Sequence, residues 1–137
     1  MTETLQTMIA GARDGAREVP PDEVRDAVDR REVHLVVDVR EPMEFREGHL
    51  PDAVNIPRGV LELRADPASP VTEPSLSDDR SKRLLVYCTK GPGVRSLLAA
   101  QTLSSMDYEN VEVLRGGLVA WDEAGLPVER EPSPATA

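Results

Sequence analysis

Cysteine occurs once in the 137 residues, as Cys88. A single thiol excludes an intramolecular disulfide and a Cys-x-x-Cys redox couple. The stretch from Met1 to Val19 carries acids and no uncharged apolar run, so no export signal is expected, and the two features together predict a reducing, cytoplasmic setting. Histidine is nearly as scarce. His34 and His49 lie far apart with no ligand spacing, so no metal site is expected. Positive charge is also in short supply: 16 Lys and Arg face 25 Asp and Glu, for a net charge of −9. That balance argues against nucleic acid or an anionic membrane as the main partner, yet leaves room for a small basic pocket that attracts a small anion. No apolar run approaches membrane-spanning length. Neither a Gly-Lys-Ser/Thr phosphate loop nor Gly-x-Gly-x-x-Gly occurs, which removes the usual nucleotide-binding readings. Aromatics make up 3% of the chain, so the core must rest on Val, Leu, Ile and Ala.

What is present suits one globular domain, with 39% hydrophobic and 30% charged residues. His34 to Val39 and Arg83 to Tyr87 are short β-branched or leucine-rich runs with adjacent apolar residues, the pattern of strands buried on both faces. Val111 to Leu114 is a third, shorter version. Helical spacing follows over Ser96 to Met106 and from Leu118 to Ala124, after Gly116-Gly117. Pro20-Pro21-Asp22-Glu23 is a helix start, with proline in the first turn and acids at the positive end of the dipole. Strands alternating with helices predict an α/β fold with an open parallel sheet. Leu5, Met8, Ile9, Ala12 and Ala16 fall at helical spacing, so residues 1–18 form an extension that is either an amphipathic helix or a frayed segment, Gly11 and Gly15 weakening the helix. The domain is expected over 19–128. Asp66 to Arg80, with three prolines, reads as a surface excursion, and 129–137 as a disordered tail.

In an open α/β sheet, ligands bind beyond the carboxyl ends of the strands. Cys88 sits at such an end, followed by Thr89-Lys90-Gly91-Pro92-Gly93-Val94-Arg95-Ser96 and a helix. The first amides of a helix lack intrahelical partners, and glycines let a loop curl closely around a bound group. Amides of Thr89 to Arg95 and the helix dipole would make an anion cradle. A thiol at its mouth favours the thiolate, with Lys90 and Arg95 acting in the same direction, and the thiolate is a nucleophile. For Arg95 a salt bridge that fixes the helix start is an equal alternative. Asp38, at the end of a neighbouring strand, is expected to hydrogen-bond this loop. Arg40 is expected to line the cleft or pair with an acid such as Glu44. His49 and Asn55 read as turn anchors, and Trp121 as the residue that packs a helix onto the sheet.

These residues resemble a single-domain rhodanese, the sulfurtransferase family. Asp38-Val39-Arg40-Glu41 followed by Glu44-Phe45 is similar to the family's first signature. Glu47 to Pro57 resembles its Gly-His-Ile-Pro-Gly-Ala-x-Asn-Ile-Pro segment, with Leu50 and Asp52 as substitutions. Tyr87-Cys88 and Gly93-Val94-Arg95-Ser96 bracket the active loop. Leu114 to Trp121 and Ala124 to Val128 resemble the closing signature. The resemblance runs from about Pro20 to Val128. It implies a five-stranded parallel sheet flanked by helices, and no metal or organic cofactor. It implies that Cys88 takes a sulfane sulfur from a small anionic donor such as thiosulfate, becomes a persulfide, and passes the sulfur to a thiol or cyanide-like acceptor. One feature departs from the pattern. The family's loop places four residues between Cys and Arg, and related phosphatases of the same fold place five, whereas six residues, Thr89 to Val94, lie between Cys88 and Arg95. A wider loop could admit a larger donor or acceptor. The alternative to an enzyme is a non-catalytic rhodanese-like module that binds a partner or senses sulfur or oxidant.

Overall fold

The structure, a computed structural model, describes residues 2–91 and 93–131. Five strands form one all-parallel sheet: β1 (Arg17–Val19), β2 (Leu35–Asp38), β3 (Val54–Asn55), β4 (Arg83–Tyr87) and β5 (Asn110–Leu114). Their spatial order is β1-β5-β4-β2-β3, and β4, the most buried strand, lies at the centre. Seven helices flank the sheet: α1 (Leu5–Asp14), α2 (Pro21–Asp29), α3 (Pro42–Glu47), α4 (Leu61–Ala65), α5 (Pro74–Ser77), α6 (Val94–Ser105) and α7 (Gly117–Glu123). The expected α/β class and the flanked five-stranded parallel sheet are both present.

The two-residue period of β4 distributes its side chains between two cores. Leu84 and Val86 face a cluster with Leu61, Leu76, Ala99 and Leu103, beneath α4, α5 and α6. Leu85 and Tyr87 face the opposite cluster with Val24, Leu50, Leu114 and Trp121, beneath α2 and α7. Each fully buried Leu or Val contributes about 1.5–3 kcal/mol by leaving water. Trp121 is buried and donates its indole N–H to the Pro127 carbonyl at 2.8 Å, so it fixes α7 and the chain after it together. Cys88 continues the period of Leu84 and Val86. It therefore points to the α6 side of the sheet and belongs to that core.

Three segments differ from the sequence expectation. The amphipathic segment at the N-terminus is a helix only to Asp14, capped at its start by Thr4, and Arg17–Val19 is an edge strand of the sheet. Its pairing with β5 depends on backbone register (Arg17 opposite Glu112) and on an Arg17–Glu112 ion pair at 3.0 Å, neither of which hydrophobic periodicity registers. The boundary expected after residue 18 thus falls inside β1. The α1 helix docks on α6 through Ala12, with Leu97, Ala100 and Val113. The prolines of 66–80 do not keep the whole segment on the surface, since α5 returns to the core with Leu76 fully buried. Of the expected disordered tail, Glu129 exchanges two backbone hydrogen bonds of 2.9 Å with His49, and Glu131 N donates to the Arg46 carbonyl at 3.1 Å. Residues 132–137 lie outside the described residues.

Candidate active site

The loop that leaves β4 is held from three directions. From α7, the amides of Leu118 and Val119 donate to the carbonyls of Cys88 (3.0 Å) and Thr89 (2.9 Å). This contact requires glycine at 117: a Cβ there would lie 2.6 Å from the Cys88 carbonyl oxygen and 2.7 Å from the Thr89 carbonyl, and φ is +62°. From its far end, Gly93 caps α6 in the left-handed conformation (φ +75°), its amide donating to the Lys90 carbonyl at 3.0 Å. From α3, Glu44 reaches across to Arg95. With two loop carbonyls turned to α7, the amides of Thr89, Lys90 and Gly91 have no acceptor among the described residues. Cys88, Thr89, Lys90, Gly91, Gly93, Val94 and Arg95 line one open pocket of about 220 Å³. The expected nucleophile and loop residues thus line one pocket, except Pro92, which lies outside the described residues.

Cys88 is buried and is a free thiol. Its Sγ lies 3.3 Å from the hydroxyl of Ser96, which is itself buried and donates to the Gly93 carbonyl at 3.1 Å. Position explains the contact: Cys88 ends a strand pointing at α6, and Ser96 lies in the first turn of that helix.

The cations behave differently from one another. Arg95 forms a two-pronged pair with Glu44, Nη1 to Oε1 at 2.7 Å and Nη2 to Oε2 at 3.1 Å, and also donates to Thr89 Oγ1 at 3.0 Å. Of its two expected roles, the structure contains the salt bridge. Glu44 Oε1 accepts a second bond, from the Glu41 amide at 2.9 Å, as part of the capping box of α3. The guanidinium of Arg95, with help from that amide, holds the Glu44 carboxyl at about 2, so it is ionised at neutral pH. Lys90 is exposed and makes no ion pair among the described residues.

Asp38 and Arg40 sit apart from this arrangement. Asp38 was expected to bond the loop, and Arg40 to line the cleft or to form a structural ion pair with an acid such as Glu44; the ion pair is present, with Asp38 as the acid. Asp38 thus bonds Arg40 rather than the loop, Arg40 Nη2 to Asp38 Oδ2 at 2.8 Å, both buried. Arg40 also donates to the Gly48 carbonyl and stacks 5.8 Å above the Tyr87 ring. The short span from 38 to 40 lets the Asp38 carboxylate take the Arg40 amide and guanidinium together, which leaves Glu44 for Arg95. Asn55 donates to the carbonyls of Asp38 and Arg40, anchoring the same turn. His49 bonds the Phe45 carbonyl at 2.7 Å through Nδ1 and stacks on the Phe45 ring, a structural setting away from the pocket.

Sequence reasoning did not single out Ser96, Glu44 or Gly117 for the site. Glu41-x-x-Glu44 is a helix-start signal that would have fixed the position of Glu44, but its reach to Arg95 spans 51 residues.

The Rhodanese-like domain model matches residues 20–124. A protein named sulfurtransferase from Allochromatium vinosum is 34% identical over 94 residues, which are 69% of this chain and 77% of that protein. A chloroplastic thiosulfate sulfurtransferase of Arabidopsis thaliana is 32% identical over 99 residues, covering 70% and 80% of the two chains. Some other relatives are longer, and the chain spans 23% to 45% of three of them. Among solved structures, a Rhodopseudomonas palustris protein of unknown function, described as a possible tyrosine phosphatase, superposes with a TM-score of 0.84 at 32% identity, covering 94% of this chain and 96% of that one. With the parallel sheet, the strand-end cysteine and the matched residues taken together, the chain belongs to the rhodanese-like domain family.

Proposed function

We propose that this chain is a sulfurtransferase of the reducing cytoplasm in which Cys88 carries sulfur as a persulfide. The observation that carries the reading is the placement of the one thiol at the floor of a loop whose Thr89, Lys90 and Gly91 amides have no acceptor among the described residues. The Cys88 thiolate attacks the outer sulfur of a sulfane donor such as thiosulfate. The donor's S–S bond breaks, sulfite leaves with the electron pair, and a Cys88 persulfide remains. A thiophilic acceptor, a thiolate or cyanide, then attacks the outer sulfur and regenerates the Cys88 thiolate. No redox partner or cofactor enters the balance. The loop amides would bind the outer, negatively charged sulfur of the persulfide. Ser96 would act on the inner one. While its hydroxyl donates to the Gly93 carbonyl, it can only accept from Sγ; when Sγ carries charge, the hydroxyl can turn and donate to it.

Phosphate ester hydrolysis is the competing catalytic reading, raised by the description of the Rhodopseudomonas palustris relative. It needs a cation free to bind a phosphoryl dianion and a carboxylic acid for the leaving group. Arg95 is committed to Glu44, which leaves Lys90 as a single unpaired cation against a dianion among the described residues, and Asp38 is committed to Arg40; both facts count against the reading.

Purified protein is expected to convert thiosulfate and cyanide to thiocyanate, and Cys88→Ser to abolish it. Turnover that survives Cys88→Ser, or Cys88-dependent release of phosphate from an aryl phosphate in its place, overturns the reading.

A further inference from the structure

We infer that Glu44 sets the charge that the sulfur donor meets, and that by cancelling Arg95 it biases the site toward donors with a single negative charge, such as a thiosulfonate or an organic persulfide, over dianionic thiosulfate. This rests on the reading of Cys88 as the sulfur carrier. Arg95 lines the pocket but is held by both carboxylate oxygens of Glu44, at 2.7 and 3.1 Å. Arg40 is cancelled in the same way by Asp38 at 2.8 Å. Lys90 is left as the one pocket-lining cation without an ion pair among the described residues, so it alone offsets the attacking Cys88 thiolate and the local balance is close to zero. The rest of the chain is a field of the opposite sign, with a net charge of −9. A donor brought to that pocket meets no surplus of positive charge, so a dianion is opposed by the acidic surroundings about twice as strongly as a monoanion. The capping box of α3 and the Thr89 hydroxyl hold Glu44 in this place, so the cancellation is built into the fold.

The chemistry for such a donor is the same displacement. The Cys88 thiolate attacks the terminal sulfur of a thiosulfonate, the S–S bond breaks, and a sulfinate leaves with the electron pair.

Two reagents of nearly equal size and different charge read the effect without sulfur transfer. Cys88 is alkylated by iodoacetate, an anion, and by iodoacetamide, which is neutral, at low ionic strength, in the wild type, Glu44→Gln and Lys90→Gln. Gln at 44 keeps an oxygen for the Glu41 amide and Arg95 while removing the charge, and unfolding curves establish that the variants are folded. The iodoacetate-to-iodoacetamide rate ratio is expected to rise roughly fivefold in Glu44→Gln and to fall by a similar factor in Lys90→Gln, as one unit charge a few ångströms away dictates in water. A second arm follows sulfur uptake from thiosulfate and from methanethiosulfonate, and Glu44→Gln is expected to accelerate the first more than the second. Ratios that Glu44→Gln leaves unchanged in the first arm, or no alkylation by either reagent, overturn the inference. A changed alkylation ratio with no sulfur uptake from either donor overturns the sulfurtransferase reading instead.

Discussion

At the scale of single residues, the site is a cysteine, a serine and an unusual division of labour among charges. Cys88 was legible in the sequence because three local signals coincide: a buried apolar run ends, glycines follow, and a helix begins. Ser96 was not, because a serine in the first turn of a helix is ordinarily a local hydrogen-bonding residue, and only the alternation of β4 reveals that Cys88 points at it. Arg95 could be read either as an anion receptor or as a structural ion pair. The choice depended on Glu44, which sits 51 residues earlier in the chain. If the Ser96 hydroxyl donates to charged sulfur, Ser96→Ala slows sulfur uptake by about 10- to 100-fold, the worth of a hydrogen bond to a charged group. Ser96→Thr, which keeps the hydroxyl, restores most of the rate. Rapid-mixing measurement of uptake checks this, with unfolding curves on the same variants. Equal rates for Ser96→Ala and wild type would remove Ser96 from the mechanism.

At the scale of elements, the loop is shaped by what grips its two ends. The α6 helix begins at Gly93, and the start of α7 holds the carbonyls of Cys88 and Thr89, which leaves the amides of Thr89 to Gly91 without acceptors among the described residues. The Gly116-Gly117 pair was visible in the sequence as a helix start. Its contact with the loop was not, because helix starts carry glycine for many reasons and the close approach is a tertiary fact. Gly117→Ala tests the grip. A Cβ 2.6–2.7 Å from the backbone of Cys88 and Thr89 cannot be accommodated without moving one of the two strand-to-helix loops. The substitution is expected to cost about 1–3 kcal/mol of stability and to lower sulfur uptake while the protein remains folded. Chemical denaturation and uptake rates measure the two effects; an uptake rate equal to wild type would show that the grip does not shape the loop. The elements that sequence reading missed or misplaced share one property. The β1 strand, the α5 turn and the Glu129 bridge to His49 are each short and owe their form to partners distant in sequence. Local pattern reports long, periodic segments such as β4 and α6 far better.

At the scale of the whole molecule, an acidic chain with few aromatics builds its core on both faces of a parallel sheet and sets Cys88 and its loop at the carboxyl edge of that sheet. The fold class followed from the strand and helix alternation, and the family from four motifs in order, so both were legible before any coordinates. The charge of the pocket was not, since composition reports the total of −9 and only the pairing of side chains reports that Lys90 makes no ion pair among the described residues. The central claim is that this molecule holds sulfur on Cys88. Intact mass spectrometry after incubation with thiosulfate, and separately with methanethiosulfonate, tests it most directly. A gain equal to one sulfur atom, removed by a thiol reductant and absent in Cys88→Ala, is the predicted result. A mass unchanged by either donor, or a gain that persists in Cys88→Ala, would contradict it.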